Sequence, residues 1–230
     1  MLKNIISDYK YFIFDVDGTL IDSISSVLTA LKKSVETEGI FLTSNCYNKS
    51  LIGPKIFDIA KMLVPNGNTE LWKNIASNFR TIYDSDPCIN ASIFPNVVDF
   101  LFALKKENKI VFTATNKPII PTTKLLKHFK IYEHFIVDGE SRLLCPNAIP
   151  NMDLVKSEMI SYILEKITKD NSISKDSVLM VGDTSSDLNA AIKNGIDFAF
   201  FYSGYAENKD EIINNNNTKL VFKDYKELYD

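Results

Sequence analysis

An apolar run that ends in two carboxylates constrains this chain more than any other feature. It lies in the segment FIFDVDGTLID at residues 12–22. The run YFIFDV is short and rich in aromatic residues, which is typical of a strand buried on both faces of a sheet. Asp15 and Asp17 stand at its end, and Gly18 then permits a turn. We therefore expect a buried strand that presents two acids at its tip.

Strand and helix patterns alternate along the chain after residue 96. The apolar runs KIVFTAT, SVLMVGD, IDFAFFY and KLVF predict strands, and a further short strand is expected near residues 135–137. Helical spacing appears at residues 97–106, 117–129, 153–167 and 185–193. This alternation predicts an α/β fold with a doubly wound parallel sheet.

The segment after the first strand has a different pattern. Helical spacing occurs at residues 22–38, 54–63 and 69–83, and no convincing strand lies between them. Because the first strand precedes this block and the other strands follow it, we expect the block to be inserted into the sheet domain. The predicted domains are an α/β core from residues 1–21 and 93–230, and an α-helical cap from residues 22–92.

Composition limits the partners that we expect. The chain has 230 residues and a formal net charge of -3, so no basic excess suggests a nucleic acid partner. Its three widely separated cysteines are typical of reduced thiols in a cytoplasmic protein. No run approaches the ~18 apolar residues of a membrane span, and we expect no signal peptide. The sequence does not distinguish a monomer from a homodimer.

Three of the predicted strand tips carry polar residues. They are DVDGT, TATNKP and GDTSSD, the last of which contains Asp183 and Asp187. Ligands of open parallel sheets bind beyond the carboxyl ends of the strands, so we expect these acids to lie near Asp15 and Asp17. Gathered carboxylates raise one another's pKa values unless a cation neutralises them. Oxygen ligands without histidine favour a hard divalent ion, Mg²⁺ above all.

The second tip complements this predicted metal site. Thr115 and Asn116 precede a predicted helix, and their polar groups together with the helix N-terminus form a candidate anion site. Lys156 falls on the same predicted helix face as three isoleucines, from which it could bring its charge inward. A metal, an anion site and a carboxylate together predict phosphoryl transfer.

Each of these features also has a simpler interpretation. The DVDG segment could be an ordinary turn, whereas a calcium loop fits less well because the glycine is fourth rather than sixth. Asp187 could serve the helix dipole, Thr115 and Asn116 could cap a helix, and Lys156 could be a snorkelling surface residue. Their order along the chain is what favours phosphoryl transfer.

That order resembles the haloacid dehalogenase superfamily in its phosphatase form. FDVDGTLID, TATNKP, LVKSEMISYIL and VGDTSSDLNAAIKNGI are similar to its four motifs, and LIGPKI resembles the substrate-facing loop of the phosphoglycolate phosphatase-like branch. The resemblance implies a Rossmann-like core with an inserted helical cap. It also implies a Mg²⁺-dependent phosphatase that acts on a small phosphorylated metabolite.

The resemblance implies a role for each matched residue. Asp15 is expected to be the nucleophile that forms an aspartyl-phosphate, and Asp17 to be the acid and base. Mg²⁺ would be bound by Asp15, by the backbone carbonyl of Asp17 and by Asp183, with Asp187 in support. The phosphate is expected to contact Thr115, Asn116 and Lys156. Gly18 is the implied residue at the turn. Gly53 and Arg80 are our candidates for substrate contact in the cap, although Arg80 could equally be a solvated helix charge.

Other functions stay open at this stage. Asp17 favours phosphate esters, because a halide leaves without a proton. A sugar-phosphate mutase or phosphotransferase would keep both acids, but the first cap helix lacks the histidine that sugar-phosphate mutases use. A pyrophosphatase or a nucleotidase would share the same motifs. A binding module without activity is disfavoured, because no predicted catalytic position is lost.

Overall fold

The computed structural model describes residues 1–52, 54–170 and 174–230. Gly53, one of the substrate-facing candidates, lies outside the described residues. The described chain forms two compact units, one of Met1–Asp22 with Ile93–Asp230 and the other of Ser23–Ser92. The first unit, here called the core unit, contains the strand tips that the sequence singles out. The second is called the helical unit.

The strands follow in chain order. They are β1 (Tyr11–Phe14), β2 (Ile21–Asp22), β3 (Ser92–Ile93), β4 (Ile110–Ala114), β5 (Ile136–Val137), β6 (Glu140–Ser141), β7 (Leu143–Leu144), β8 (Val178–Gly182), β9 (Asp197–Phe201) and β10 (Thr218–Phe222). Six of them form a parallel sheet in the order β10-β9-β8-β1-β4-β7. The first strand of the chain is therefore internal to the sheet, and the α/β, doubly wound prediction is confirmed.

Helices also follow in chain order. They are α1 (Asn4–Ser7), α2 (Ile24–Thr37), α3 (Ile56–Leu63), α4 (Thr69–Ser85), α5 (Val97–Lys106), α6 (Ile119–His128), α7 (Lys156–Asp170), α8 (Ser185–Asn194) and α9 (Lys209–Ile213). Gly195 ends α8 in a left-handed conformation (φ 65°) that few other residues adopt without strain. No described helix is long and apolar enough to cross a membrane.

Alternation along β1 explains why the sheet is covered on both faces. Phe12 and Phe14 point to one face, where their rings contact Phe100 of α5. Ile13 points to the other face and belongs to a buried cluster with Ile160 of α7. Successive side chains of a strand leave opposite faces, so a fully apolar strand needs helices on both sides.

The helical unit has a core of its own. Helices α2, α3 and α4 bury a cluster that includes Leu31, Ile59 and Ile75. These residues recur at helical spacing in the sequence, because one stripe of each amphipathic helix must be buried. The predicted helices at residues 22–38, 54–63 and 69–83 are all found, with ends that differ by up to two residues.

One strand of the sheet differs from the sequence prediction. The strand expected near residues 135–137 is present as β5, but it pairs with β6 in an antiparallel hairpin. The edge of the parallel sheet is instead β7, where Leu143 pairs with Thr113. β7 has only two residues, which is too short for a periodic pattern to reveal.

Candidate active site

The register of the sheet brings three strand tips to one edge. Phe14 of β1 pairs with Thr113 of β4 on one side and with Val181 of β8 on the other. The backbone N–H of Asp15 extends this pairing by donating to the Val181 carbonyl at 3.0 Å. Because all three strands are parallel, the residues that follow them emerge side by side.

Three buried carboxylates meet at this edge. Oxygens of Asp15, Asp183 and Asp187 lie within 4.8 Å of one another. Burial, opposed by Lys156 and reinforced by Asp187 and Asp17, raises the pKa of Asp15 to about 7. Burial and the neighbouring charges of Asp187 and Asp15 also hold the pKa of Asp183 well above its ordinary value. A bound cation would relieve this repulsion.

Lys156 lies between two of these acids. It is the first residue of α7, and its Nζ lies 3.1 Å from Asp15 Oδ1 and 2.5 Å from Asp187 Oδ1. Burial opposes the charged ammonium, but the two carboxylates outweigh it and raise the pKa of Lys156. The contact with Asp15 has ion-pair distance without hydrogen-bond alignment, so Asp15 Oδ1 is buried with no hydrogen-bond partner.

Both carboxylate oxygens of Asp187 accept hydrogen bonds. Its Oδ2 accepts hydrogen bonds from the backbone N–H groups of Asp183 and Thr184 and from the Thr184 hydroxyl, and its Oδ1 accepts from Lys156. The contact with the Thr184 N–H is half of a capping box that begins α8. Asp187 therefore stabilises a helix start and fixes Lys156 at the same time.

Asp183 is held by residues that the sequence reasoning missed. Its Oδ1 accepts from the Thr19 hydroxyl at 2.9 Å, and its Oδ2 accepts from the Tyr205 backbone N–H at 2.7 Å. Two glycines permit this packing. A Cβ on Gly18, which has φ 82°, or on Gly204 would lie 2.2 Å from an atom of the Asp183 side chain. Thr19 and Gly18 belong to the first motif, whereas nothing in the sequence around Gly204 and Tyr205 signals the contact.

Asp17 has a lysine of its own. Its Oδ1 lies 3.1 Å from the Nζ of Lys117, a residue of the TATNKP segment that sequence reasoning left without a role. The Lys117 side chain is 5% exposed and that of Asp17 is 19% exposed. Asp17 is thus paired with a different lysine from the one that contacts Asp15.

The other predicted positions lie after β4 and on α4. Thr115 is buried after β4, where its hydroxyl accepts from the Lys117 N–H at 3.3 Å. Asn116 is exposed between Thr115 and Lys117. Arg80 lies exposed on α4 of the helical unit, and its contact with a substrate stays a prediction.

Comparison with known proteins identifies the family. The model of the haloacid dehalogenase-like hydrolases matches residues 12–201, which include all three strand tips. The chain belongs to this family. This haloacid dehalogenase-like hydrolase is 26% identical over 199 residues to a phosphoglycolate phosphatase of Cereibacter sphaeroides. The aligned region covers 84% of this chain and 85% of that protein.

Further relatives have other names. A 5'-nucleotidase of Pseudomonas aeruginosa is 21% identical, covering 82% of this chain and 80% of that protein. A solved haloacid dehalogenase-like hydrolase of Streptococcus pneumoniae superposes with a TM-score of 0.78 at 19% identity, covering 96% of this chain and 97% of that one. Family and relatives together identify this protein as a phosphatase.

The acid cluster fits the magnesium ion that this family generally uses. Oxygen ligands without histidine suit Mg²⁺, and the Oδ1 of Asp15 is a buried acceptor that makes an ion pair with Lys156 but no aligned hydrogen bond. Asp183 keeps acceptor capacity beyond its two hydrogen bonds, since each carboxylate oxygen has two lone pairs. Asp187, with both oxygens engaged, suits a supporting role better than direct ligation.

Proposed function

We propose that this protein is a Mg²⁺-dependent phosphatase that hydrolyses a small phosphorylated metabolite through an aspartyl-phosphate on Asp15. The observation that carries this proposal is the buried Asp15 carboxylate, which has one oxygen without a hydrogen-bond partner beside the Lys156 ammonium. A carboxylate whose oxygens are not all saturated by hydrogen bonds keeps lone pairs for a metal and for attack on phosphorus, and the nearby positive charge would favour an incoming phosphate.

In the first step an Asp15 oxygen attacks phosphorus. The new Asp15–phosphorus bond forms as the bond to the ester oxygen breaks, and Asp17 gives that leaving oxygen a proton. In the second step Asp17 takes a proton from water, whose oxygen attacks phosphorus and displaces Asp15. Inorganic phosphate leaves, and both side chains return to their starting states. Asp17 suits this work because its side chain is partly exposed, whereas the cluster acids are buried.

Magnesium would be held by Asp15, Asp183 and the backbone carbonyl of Asp17. When bound, it would neutralise the gathered negative charge and polarise the phosphoryl oxygens. Thr19 and Tyr205 orient the Asp183 carboxylate for this ligation. Asp187 supports the site through the Asp183 backbone and through Lys156.

The transferring phosphoryl group would be bound on its equatorial oxygens. Lys156 supplies charge, and Thr115 and the backbone N–H of Asn116 lie at the tip of β4. Gly18 lets the chain turn past Asp183, as its φ of 82° requires. Such fixed donors stabilise charge that develops in the transition state without reorganisation.

We propose that the helical unit determines which substrate is accepted. It would act as a cap that admits the substrate and excludes water. Gly53 and Arg80 remain our candidates for substrate contact there. Relatives named phosphoglycolate phosphatase support a small phosphorylated metabolite, and we propose that the protein works in the cytoplasm. The relative named 5'-nucleotidase keeps nucleoside monophosphates among the candidates.

A substrate panel tests the proposal. Purified protein is incubated with Mg²⁺ and an aryl phosphate, phosphoglycolate, sugar phosphates, nucleoside monophosphates and pyrophosphate, and phosphate release is measured. We expect turnover that requires Mg²⁺ and is lost in Asp15→Asn, while the exposed control Asp8→Asn keeps it. Undiminished release by Asp15→Asn would contradict the assignment of the nucleophile. Transfer of phosphate to an added sugar instead of water would favour the phosphotransferase alternative.

A further inference from the structure

Lys117 has features that a surface lysine lacks. Its side chain is almost wholly buried, and its Nζ lies 3.1 Å from Asp17 Oδ1. Lysine is seldom buried without a specific partner, because its charge must leave water. Here the carboxylate that the ammonium faces is the more exposed member of the pair.

The backbone of Lys117 is restrained on both sides. Its N–H donates to the Thr115 hydroxyl, and its carbonyl accepts from the Thr122 hydroxyl, both at 3.3 Å. The residue sits in the short segment between the end of β4 at Ala114 and the start of α6 at Ile119. The ammonium is therefore carried by an anchored strand-to-helix connection.

Stability alone gives little reason for such a pair. A buried ion pair often contributes no more than a well-packed apolar pair would, because the desolvation cost offsets the Coulomb attraction. Each of the two acids of the first motif also has a different lysine beside it. Lys156 contacts Asp15, whereas Lys117 contacts Asp17.

We propose that Lys117 is a positioning residue that orients the Asp17 carboxylate for proton transfer. This inference rests on the proposed function, in which Asp17 protonates the leaving oxygen and then deprotonates water. Proton transfer needs donor and acceptor at about 2.6–3.2 Å, and a displacement of ~1 Å can cost about 100-fold in rate. Lys117 acts through Asp17 and need not touch the substrate.

Two substrates with different leaving groups test this role. A 4-nitrophenolate leaves phosphorus without a proton, whereas the alkoxide of an alkyl phosphate such as phosphoglycolate needs one. The ratio kcat/KM covers the steps up to departure of the leaving group. We expect Lys117→Met to lower kcat/KM for the alkyl phosphate at least about 10-fold more than for 4-nitrophenyl phosphate. A role that is only structural would lower both equally.

A double-variant comparison shows whether Lys117 acts through Asp17. In the Asp17→Asn background, Lys117→Met should change kcat/KM for the alkyl phosphate less than about 2-fold, because the group it positions is gone. Independent, multiplicative losses would overturn the proposal. So would an equal loss with both substrates in Lys117→Met alone.

Controls separate this inference from the proposed function. Lys127→Met removes an exposed lysine of α6 and should leave kcat/KM unchanged for both the alkyl phosphate and 4-nitrophenyl phosphate. Lys117→Arg should restore part of the loss, and Lys117→Gln provides the same comparison if Lys117→Met does not fold. Retained turnover in Asp15→Asn would contradict the proposed function, and the role of Lys117 with it. Loss in Asp15→Asn combined with equal effects on both substrates would contradict the role of Lys117 alone.

Discussion

The carboxylate of Asp187 accepts a hydrogen bond from the backbone N–H of Asp183 at 3.2 Å, four residues earlier. One side chain thus fixes the end of β8, the start of α8 and the ammonium of Lys156. The spacing of the fourth motif, GDTSSD, reflects this geometry, since the second acid must reach back over the first turn of the helix.

Replacing Asp187 should destabilise the fold. In Asp187→Asn one carboxylate oxygen becomes an NH₂ group, which must face either Lys156 or the donors of Asp183 and Thr184. Leaving a buried donor unsatisfied costs about 1–3 kcal/mol. Urea unfolding of the two proteins measures the difference. The exposed Glu165→Gln of α7 is the control, and equal stability of Asp187→Asn and the unaltered protein would contradict the contacts described.

Asp15 should make stability depend on pH in metal-free buffer. Its pKa is raised from 3.8 to about 7 by burial, so between these values the folded state binds more protons than the unfolded state. This group's contribution to the free energy of unfolding therefore falls as pH rises from about 4 to about 7.

Asp15→Asn removes that contribution. The free energy of unfolding of the variant, minus that of the unaltered protein, should therefore increase by on the order of 1–4 kcal/mol from pH 4 to pH 8. Chemical unfolding at several pH values with a chelator present measures the gain. A difference that does not change with pH would contradict the raised pKa.

Magnesium should stabilise the folded protein. A ligand that binds only the folded state at 100 times its Kd adds about 2.7 kcal/mol, which for a chain of this size raises Tm by roughly 5–10 °C. Thermal unfolding with Mg²⁺ or with chelator measures the shift. Asp183→Asn should lose most of it, whereas the exposed Asp210→Asn should keep it. An equal shift in both variants would place the ion elsewhere.

Gly18 should not tolerate a side chain. A Cβ there would lie 2.2 Å from Asp183 Oδ2, and the φ of 82° strains any L residue. Gly139 has a similar φ of 79° but no atom within 4 Å of such a Cβ. The loss of Mg²⁺-induced stabilisation should therefore occur in Gly18→Ala and not in Gly139→Ala. Loss of the Mg²⁺-induced stabilisation in both variants would mean that backbone strain alone, and not contact with Asp183, accounts for the loss.

Much of the core unit follows from periodicity in the sequence. The strands β1, β4, β8 and β9 are mostly apolar runs of four or five residues, and α5 matches its predicted bounds of residues 97–106. The burial of Lys156 is also consistent with its place on an apolar helix face. These features depend on local patterns, which a single sequence displays.

The remaining features depend on tertiary contacts. β7 has two residues and no period, and its pairing is set by the neighbouring β4. Lys117 resembles a solvated helix-start lysine until its ammonium is placed against Asp17. Tyr205 contacts Asp183 through a backbone N–H, so its side-chain identity carries no signal of that contact.

The internal position of β1 has a consequence for synthesis of the chain. The Thr19 hydroxyl donates to Asp183, which lies 164 residues later in the chain. Strand β1 likewise lacks one of its two neighbouring strands until β8 has been translated. Contacts of such long sequence separation form late in folding, whereas the helical unit depends on local ones. A ribosome-bound chain that ends before residue 178 should therefore expose the aromatic segment of β1 to proteases and chaperones while its helices are already protected. Limited proteolysis of stalled nascent chains would measure this order of protection.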